Sequence, residues 1–92
     1  MTREMAEQSA LGALAWLSGN DELVPVFLGA TGVSEADLRA RAAEPDFLAS
    51  VMDFLLMDDA WVSSCAQNFN WPPEHLAEIR AALPGGDLPN WT

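Results

Sequence analysis

The sequence predicts an all-α protein: a compact orthogonal bundle of five to six short helices, with two helical hairpins around a central apolar helix at about 45–57. Three observations predict it. The segment PDFLASVMDFLLM is apolar around almost its whole circumference, and such a helix belongs inside a bundle. Residues 21–42 and 59–80 read as two copies of one unit. Each opens with an acid (Asp21, Asp59) and reaches a residue that tolerates positive φ (Gly32, Asn70). A large apolar residue follows (Val33, Trp71), then a second helix anchored by a leucine (Leu38, Leu76). Finally, the six glycines and six prolines fall mainly between helical segments, where they end helices without breaking them.

The first helix is expected over about Thr2 to Ser18, with Thr2 as N-cap. Ala6, Ala10, Ala13, Leu14 and Leu17 form its apolar stripe, Trp16 flanks it, and Gly19-Asn20 ends it. The second is expected to start near Asp21 and to carry Leu23, Phe27 and Leu28. Pro25 fits only at or near its first turn, where few amides need a partner. Gly32 is placed to end it in the left-handed conformation. Ser34 and Asp37 suggest a capping box for a third helix over about Glu35 to Ala43. Pro45 opens the fourth, the position in a helix that proline prefers. Its polar stripe is narrow: Asp46, Ser50 and Asp53. Asp58 caps a fifth helix carrying Trp61, Val62, Cys65 and Phe69. Pro72-Pro73 opens a sixth, with Leu76, Ile79 and Leu83 on one face, and Pro84-Gly85-Gly86 stops it.

Ninety-two residues suit one domain, read as 1–83 with a C-terminal tail at 84–92. A chain this short buries roughly 60–65% of the surface it would expose unfolded, enough for one core without a deep cleft. Fourteen acids face four arginines, for a net charge of -10. That field repels phosphate polymers and anionic membrane surfaces. Direct nucleic-acid binding needs a basic footprint that this composition lacks. The single Cys65 suits a reducing compartment. The apolar run from Ala10 to Leu17 is too short to span a membrane and lacks the positive lead of a signal peptide. A cytoplasmic location is expected.

Each candidate for chemistry has a plainer structural reading. His75, the only histidine, has Glu74 beside it and Glu78 near one turn on. One histidine without convergent ligands makes a poor metal site, so it is expected to lie exposed in a first helical turn. Cys65 has no base among its helical neighbours and shares a face with Trp61, Val62 and Phe69, which reads as a buried small hydrophobe. Asp53, Asp58 and Asp59 fail the alternating spacing of a calcium loop. Acids at helix starts, Asp21-Glu22 included, cap amides and complement the helix dipole. Arg39 and Arg41 would lie on the recognition helix of a helix-turn-helix, yet Glu35, Asp37 and Glu44 accompany them and oppose phosphate binding.

The four tryptophans remain. Trp61 has the best claim to the core, and Trp71 is placed to staple the sixth helix to its hairpin. Trp16, Trp71 and Trp91 are the candidate partner-contact residues, since exposed tryptophans anchor interfaces. The alternative is that the tail folds back, covering Trp16 with Leu88 and Trp91.

Several pieces together resemble a known family. They are Phe27-Leu28 with Thr31-Gly32-Val33, Ala42-Ala43-Glu44-Pro45 with Phe47-Leu48, Val51-Met52-Asp53-Phe54-Leu55, and Asp58-Asp59. In order and spacing they resemble the small bacterial all-helical family catalogued as domain of unknown function 3572, over about residues 5 to 83. The resemblance implies no activity, cofactor or catalytic residue. Where the family pattern has a phenylalanine in the fifth helix, this chain has Cys65.

The expected function is a small acidic protein-interaction module without catalytic activity or cofactor. Its partner would be another protein, a basic one among the options, or a second copy, with no direct contact to nucleic acid or membrane. An acidic decoy for a DNA-binding protein and a homo-oligomeric structural protein are the alternatives; an enzyme or metal protein ranks last.

Overall fold

The computed structural model describes residues 1–84. It contains α1 (Arg3–Ser18), α2 (Leu23–Thr31), α3 (Glu35–Ala40), α4 (Pro45–Leu55), α5 (Asp59–Phe69) and α6 (His75–Ala81), with no strand among the described residues. The predicted all-α bundle is therefore the observed fold. All six helices contribute to one apolar cluster, and every buried residue among those described is apolar or cysteine.

α4 organises the packing. Seven of its residues are buried: Phe47, Leu48, Ala49, Val51, Met52, Phe54 and Leu55. It lies chiefly against α1 and also contacts α5 and α6. The buried face of α1 is mostly alanine (Ala6, Ala10, Ala13, with Leu14 and Leu17). Small side chains let two helix backbones approach closely, so the bulky residues of α4 fill the gap. An aromatic chain then ties α2 and α5 to α4. The Phe27 ring meets Phe47 and Phe54 edge-on, at 6.2 and 5.1 Å between centroids, and Phe54 stacks on Trp61 at 4.6 Å. Such geometries add about 0.5–1.5 kcal/mol per pair beyond the area buried.

The caps follow the sequence closely. Thr2 Oγ1 accepts from the Met5 amide at 3.1 Å. Ser34 and Asp37 form a reciprocal capping box. Asp58 Oδ1 accepts from the amides of Ala60 and Trp61. Gly32 and Asn70 end α2 and α5 with φ of 74° and 59°. These left-handed joints are the part the two sequence copies share; α5 and α6 touch one another, whereas α2 and α3 are not among the packed pairs.

α6 ends at Ala81, short of Leu83, and four further boundaries differ from expectation, each for a local reason. α2 starts at Leu23 because the Asn20 carboxamide, not Asp21, accepts from the amides of Glu22 and Leu23. α3 ends at Ala40, not Ala43: Pro45 forces Glu44 into the extended region (ψ 123°), so the chain must leave the helix first. α4 stops at Leu55 because residues 56–58 turn to bring Asp58 to the head of α5. Met57 is thereby the most exposed large apolar residue among those described, at 74%. α6 begins at His75, since Pro72 and Pro73 form the preceding turn, with the His75 amide donating to the Pro72 carbonyl at 3.0 Å. The tail residues Leu88 and Trp91 lie outside the described residues.

Candidate functional site

The surface is most distinctive where α1, α2 and α5 meet. Trp16 stands on the flank of the α1 stripe, half-buried, because its neighbours Ala13 and Leu17 occupy the core-facing positions. α2, LVPVFLGAT, carries no charge at all, yet it buries only Leu23 and Phe27. Its outer face, with Pro25, Val26, Gly29 and Ala30, is left exposed. α5 brings Ala60, Trp61 and Ser64. Together Trp16, Leu23, Val26 and Trp61 give an apolar lining to a groove of about 310 Å³, with Asn20, Glu22, Ala60 and Ser64 completing it. Trp61, assigned to the core from sequence, is only half-buried: it is braced by its stack on Phe54 while also facing this groove.

The groove is bordered by acid. Glu22 lines it, and Asp21 lines the adjoining depression with Trp16 and Asn20. Asp59 immediately precedes Ala60 and is exposed. None of these three carboxylates forms an ion pair among the described residues. The arginines lie elsewhere. Arg3 pairs with Glu7, Arg41 with Glu44 and Arg80 with Asp53. The Arg41 guanidinium also lies over the Phe47 ring, 5.0 Å from its centroid. Arg41 is thus the C-cap of α3 and part of its packing, not a side chain projecting from a recognition helix.

Trp71 belongs to a separate patch. Its ring stacks on Phe69 at 4.4 Å and tilts against His75 at 4.9 Å. The Phe69 ring packs against α1 at Gly12, 3.6 Å from where a Cβ would stand. Trp71 therefore staples the α5–α6 joint, as its position before Pro72 suggested. His75 is correspondingly half-buried, with a side chain 21% exposed, in place of the exposed first-turn position expected. Its Nδ1 donates to Glu78 Oε1 at 3.1 Å. Trp91, the third proposed contact residue, lies outside the described residues. The structure thus separates Trp16 from Trp71 and joins Trp16 to Trp61.

The remaining candidates stand apart from one another. Cys65 is fully buried, and burial pushes its thiol up to about 11, because the thiolate would lose its hydration. Asp58 is engaged as a cap and Asp53 by Arg80. Among the described residues no three His, Cys, Asp or Glu side chains gather closely enough to hold a metal ion.

The family model described as "Protein of unknown function (DUF3572)" matches residues 3–86, from the first residue of α1 to beyond α6. The chain belongs to DUF3572. No curated protein and no solved structure matches it. DUF3572 membership thus agrees with the resemblance read from the sequence and spans the whole bundle, and its description assigns no activity. Within this DUF3572 chain, the Trp16–Trp61 groove was only half legible from sequence. The tryptophans were visible, but their pairing depends on where the bundle places α1 and α5 beside α2. The available signal was α2 itself, a charge-free helix in a chain of net charge -10.

Proposed function

We propose that the protein is a small acidic module that binds another protein inside the cell and has no catalytic role of its own. One observation carries the reading: two tryptophans on different helices share an exposed groove bordered by carboxylates that form no ion pair among the described residues. Tryptophans in that setting supply affinity, and surrounding charge supplies steering and specificity. The nucleophile and base that a catalytic reading would need are engaged elsewhere. The Cys65 thiol is buried and held protonated, while His75 is covered by Trp71 and bonded to Glu78. No helix among the described residues is long and apolar enough to cross a membrane, which is compatible with the cytoplasmic location proposed.

The decoy reading ranks lower. It needs carboxylates in rows at phosphate-like spacing, whereas here several are consumed locally: Asp37 and Asp58 in caps, Glu7, Glu44 and Asp53 in ion pairs. Self-association through the exposed α2 face is the variant that shares the same surface. Affinity capture of the tagged chain from its native cells, with sedimentation velocity of the pure protein, tests the proposal. A stoichiometric protein partner is expected. Recovery of none, with a strict monomer at high concentration, would remove it.

A further inference from the structure

We infer that the groove between α2 and α5 receives an amphipathic helix of a partner protein, one that carries large apolar side chains on one face and lysine or arginine beside them. The inference rests on the interaction-module reading and names the class of partner for it. The shape supports a helix as occupant. α2 and α5 form two walls, Trp16 enters from α1, and Val26 continues the apolar lining out to the exposed face. An apolar helix face laid into a groove is a recurrent mode of recognition and needs no free backbone edge, which an all-helical bundle does not offer. Along that face Val26 is 46% exposed, and a Cβ built on Gly29 meets nothing within 4 Å. A partner backbone can therefore approach α2 closely.

Charge selects the partner. Glu22, Asp21 and Asp59 stand at or beside the groove without ion pairs among the described residues, and none of the four arginines lines it. A second copy of the chain would bring the same carboxylates and a further charge of -10 to the interface. A partner with cations flanking its apolar face satisfies both features, because desolvated apolar contacts give affinity and opposite charges at the rim fix register and speed encounter.

The test is a selection of displayed random peptides of about 16 residues, long enough for roughly four helical turns, against the intact protein. Enriched peptides are expected to carry large apolar residues at i, i+3 or i+4 spacing together with lysine or arginine. Their binding should fall at least about tenfold with Val26→Arg, which places a cation on the apolar lining, and should weaken with Glu22→Lys and with added salt. Amide shifts on binding should map to Val26, Ala60 and Ser64 and to the Trp16 indole. Val26→Arg changes an exposed position, so its circular dichroism and melting temperature should stay near wild type. No enrichment, enriched peptides without cations, undiminished binding to Val26→Arg, or shifts centred on Trp71 would each overturn the inference. So would a wild-type dimer that Val26→Arg dissociates, since the occupant would then be a second copy. A partner captured from native cells that still binds Val26→Arg would overturn this site and leave the module reading standing. Absence of any partner for the wild type removes that reading itself.

Discussion

Arg80 holds Asp53 across 27 residues of sequence: its Nε donates to Asp53 Oδ1 at 2.6 Å, while its Nη1 donates to the Pro84 carbonyl at 2.8 Å. One guanidinium thereby ties α4, the end of α6 and the exit of the chain together. The two partners are unequal, with side chains 20% and 58% exposed for Arg80 and Asp53. A half-exposed carboxylate is well screened, so Asp53→Asn should cost under about 1 kcal/mol. Arg80→Ala also removes the bond to Pro84 and the packing of its stem, and should cost about 1–2 kcal/mol. Urea denaturation of both variants checks the order. High salt should shrink the Asp53→Asn effect and leave most of the Arg80→Ala effect.

Phe27 is the sole large side chain by which α2 enters the core beyond Leu23, and its ring touches both Phe47 and Phe54. Truncation removes the burial term and both edge-on contacts, and leaves a cavity beside α4. Phe27→Ala should cost about 3–5 kcal/mol. That is a large share of the roughly 5–15 kcal/mol that holds a domain of this kind folded. Thermal denaturation should show a fall in melting temperature of well over 10 °C, at about 4–8 °C per kcal/mol for this size. Leu28→Ala, at a half-buried position of the same helix, should cost clearly less.

These two predictions also divide what the sequence could reveal from what it could not. The apolar circumference of 45–57 and the caps at Thr2, Ser34 and Asp58 are local signals, and the helices they define are present. The wholesale burial of α4 follows from its own residues. Pairings between helices distant in sequence depend on crossing geometry, which periodicity does not encode. Arg80 with Asp53, and Trp16 with Trp61, were for that reason invisible. Boundaries slipped where a neighbour overrode propensity, as Pro45 did for α3 and the Asn20 carboxamide for α2. His75 was misplaced because Trp71, four residues earlier across the prolines, folds over it.

Gly29 within α2 and Gly32 at its C-cap should respond oppositely to alanine. Gly29 lies inside the helix, and a Cβ there meets nothing within 4 Å. Gly29→Ala lowers the entropy of the unfolded chain without strain and should stabilise by about 0.5–1 kcal/mol. Gly32 has φ of 74° and its amide donates to the Leu28 carbonyl at 2.9 Å. An alanine there has open space but the wrong backbone region, so Gly32→Ala should destabilise by about 1–2 kcal/mol. Equilibrium denaturation resolves a difference of this sign. A stabilising Gly32→Ala would mean that the α2–α3 joint is not left-handed.

Alkaline pH offers the cleanest probe of the core, because the chain contains neither lysine nor tyrosine. Cys65 is then the one side chain whose change of charge falls between about pH 9 and 11. In the folded state burial pushes its thiol from 9.0 up to about 11. The unfolded chain then loses the proton first, and the folded state binds more protons across that window. Stability that is fully present below about pH 9 must therefore fall as pH rises, by roughly 2–3 kcal/mol once pH passes the folded value. Cys65→Ala should be less stable at neutral pH, from the lost sulfur packing, but flat from pH 9 to 11. Urea midpoints measured across this range for both proteins check it. A wild-type midpoint that does not move would mean that solvent reaches the thiol, and that α5 packs less tightly on α4 than the structure places it.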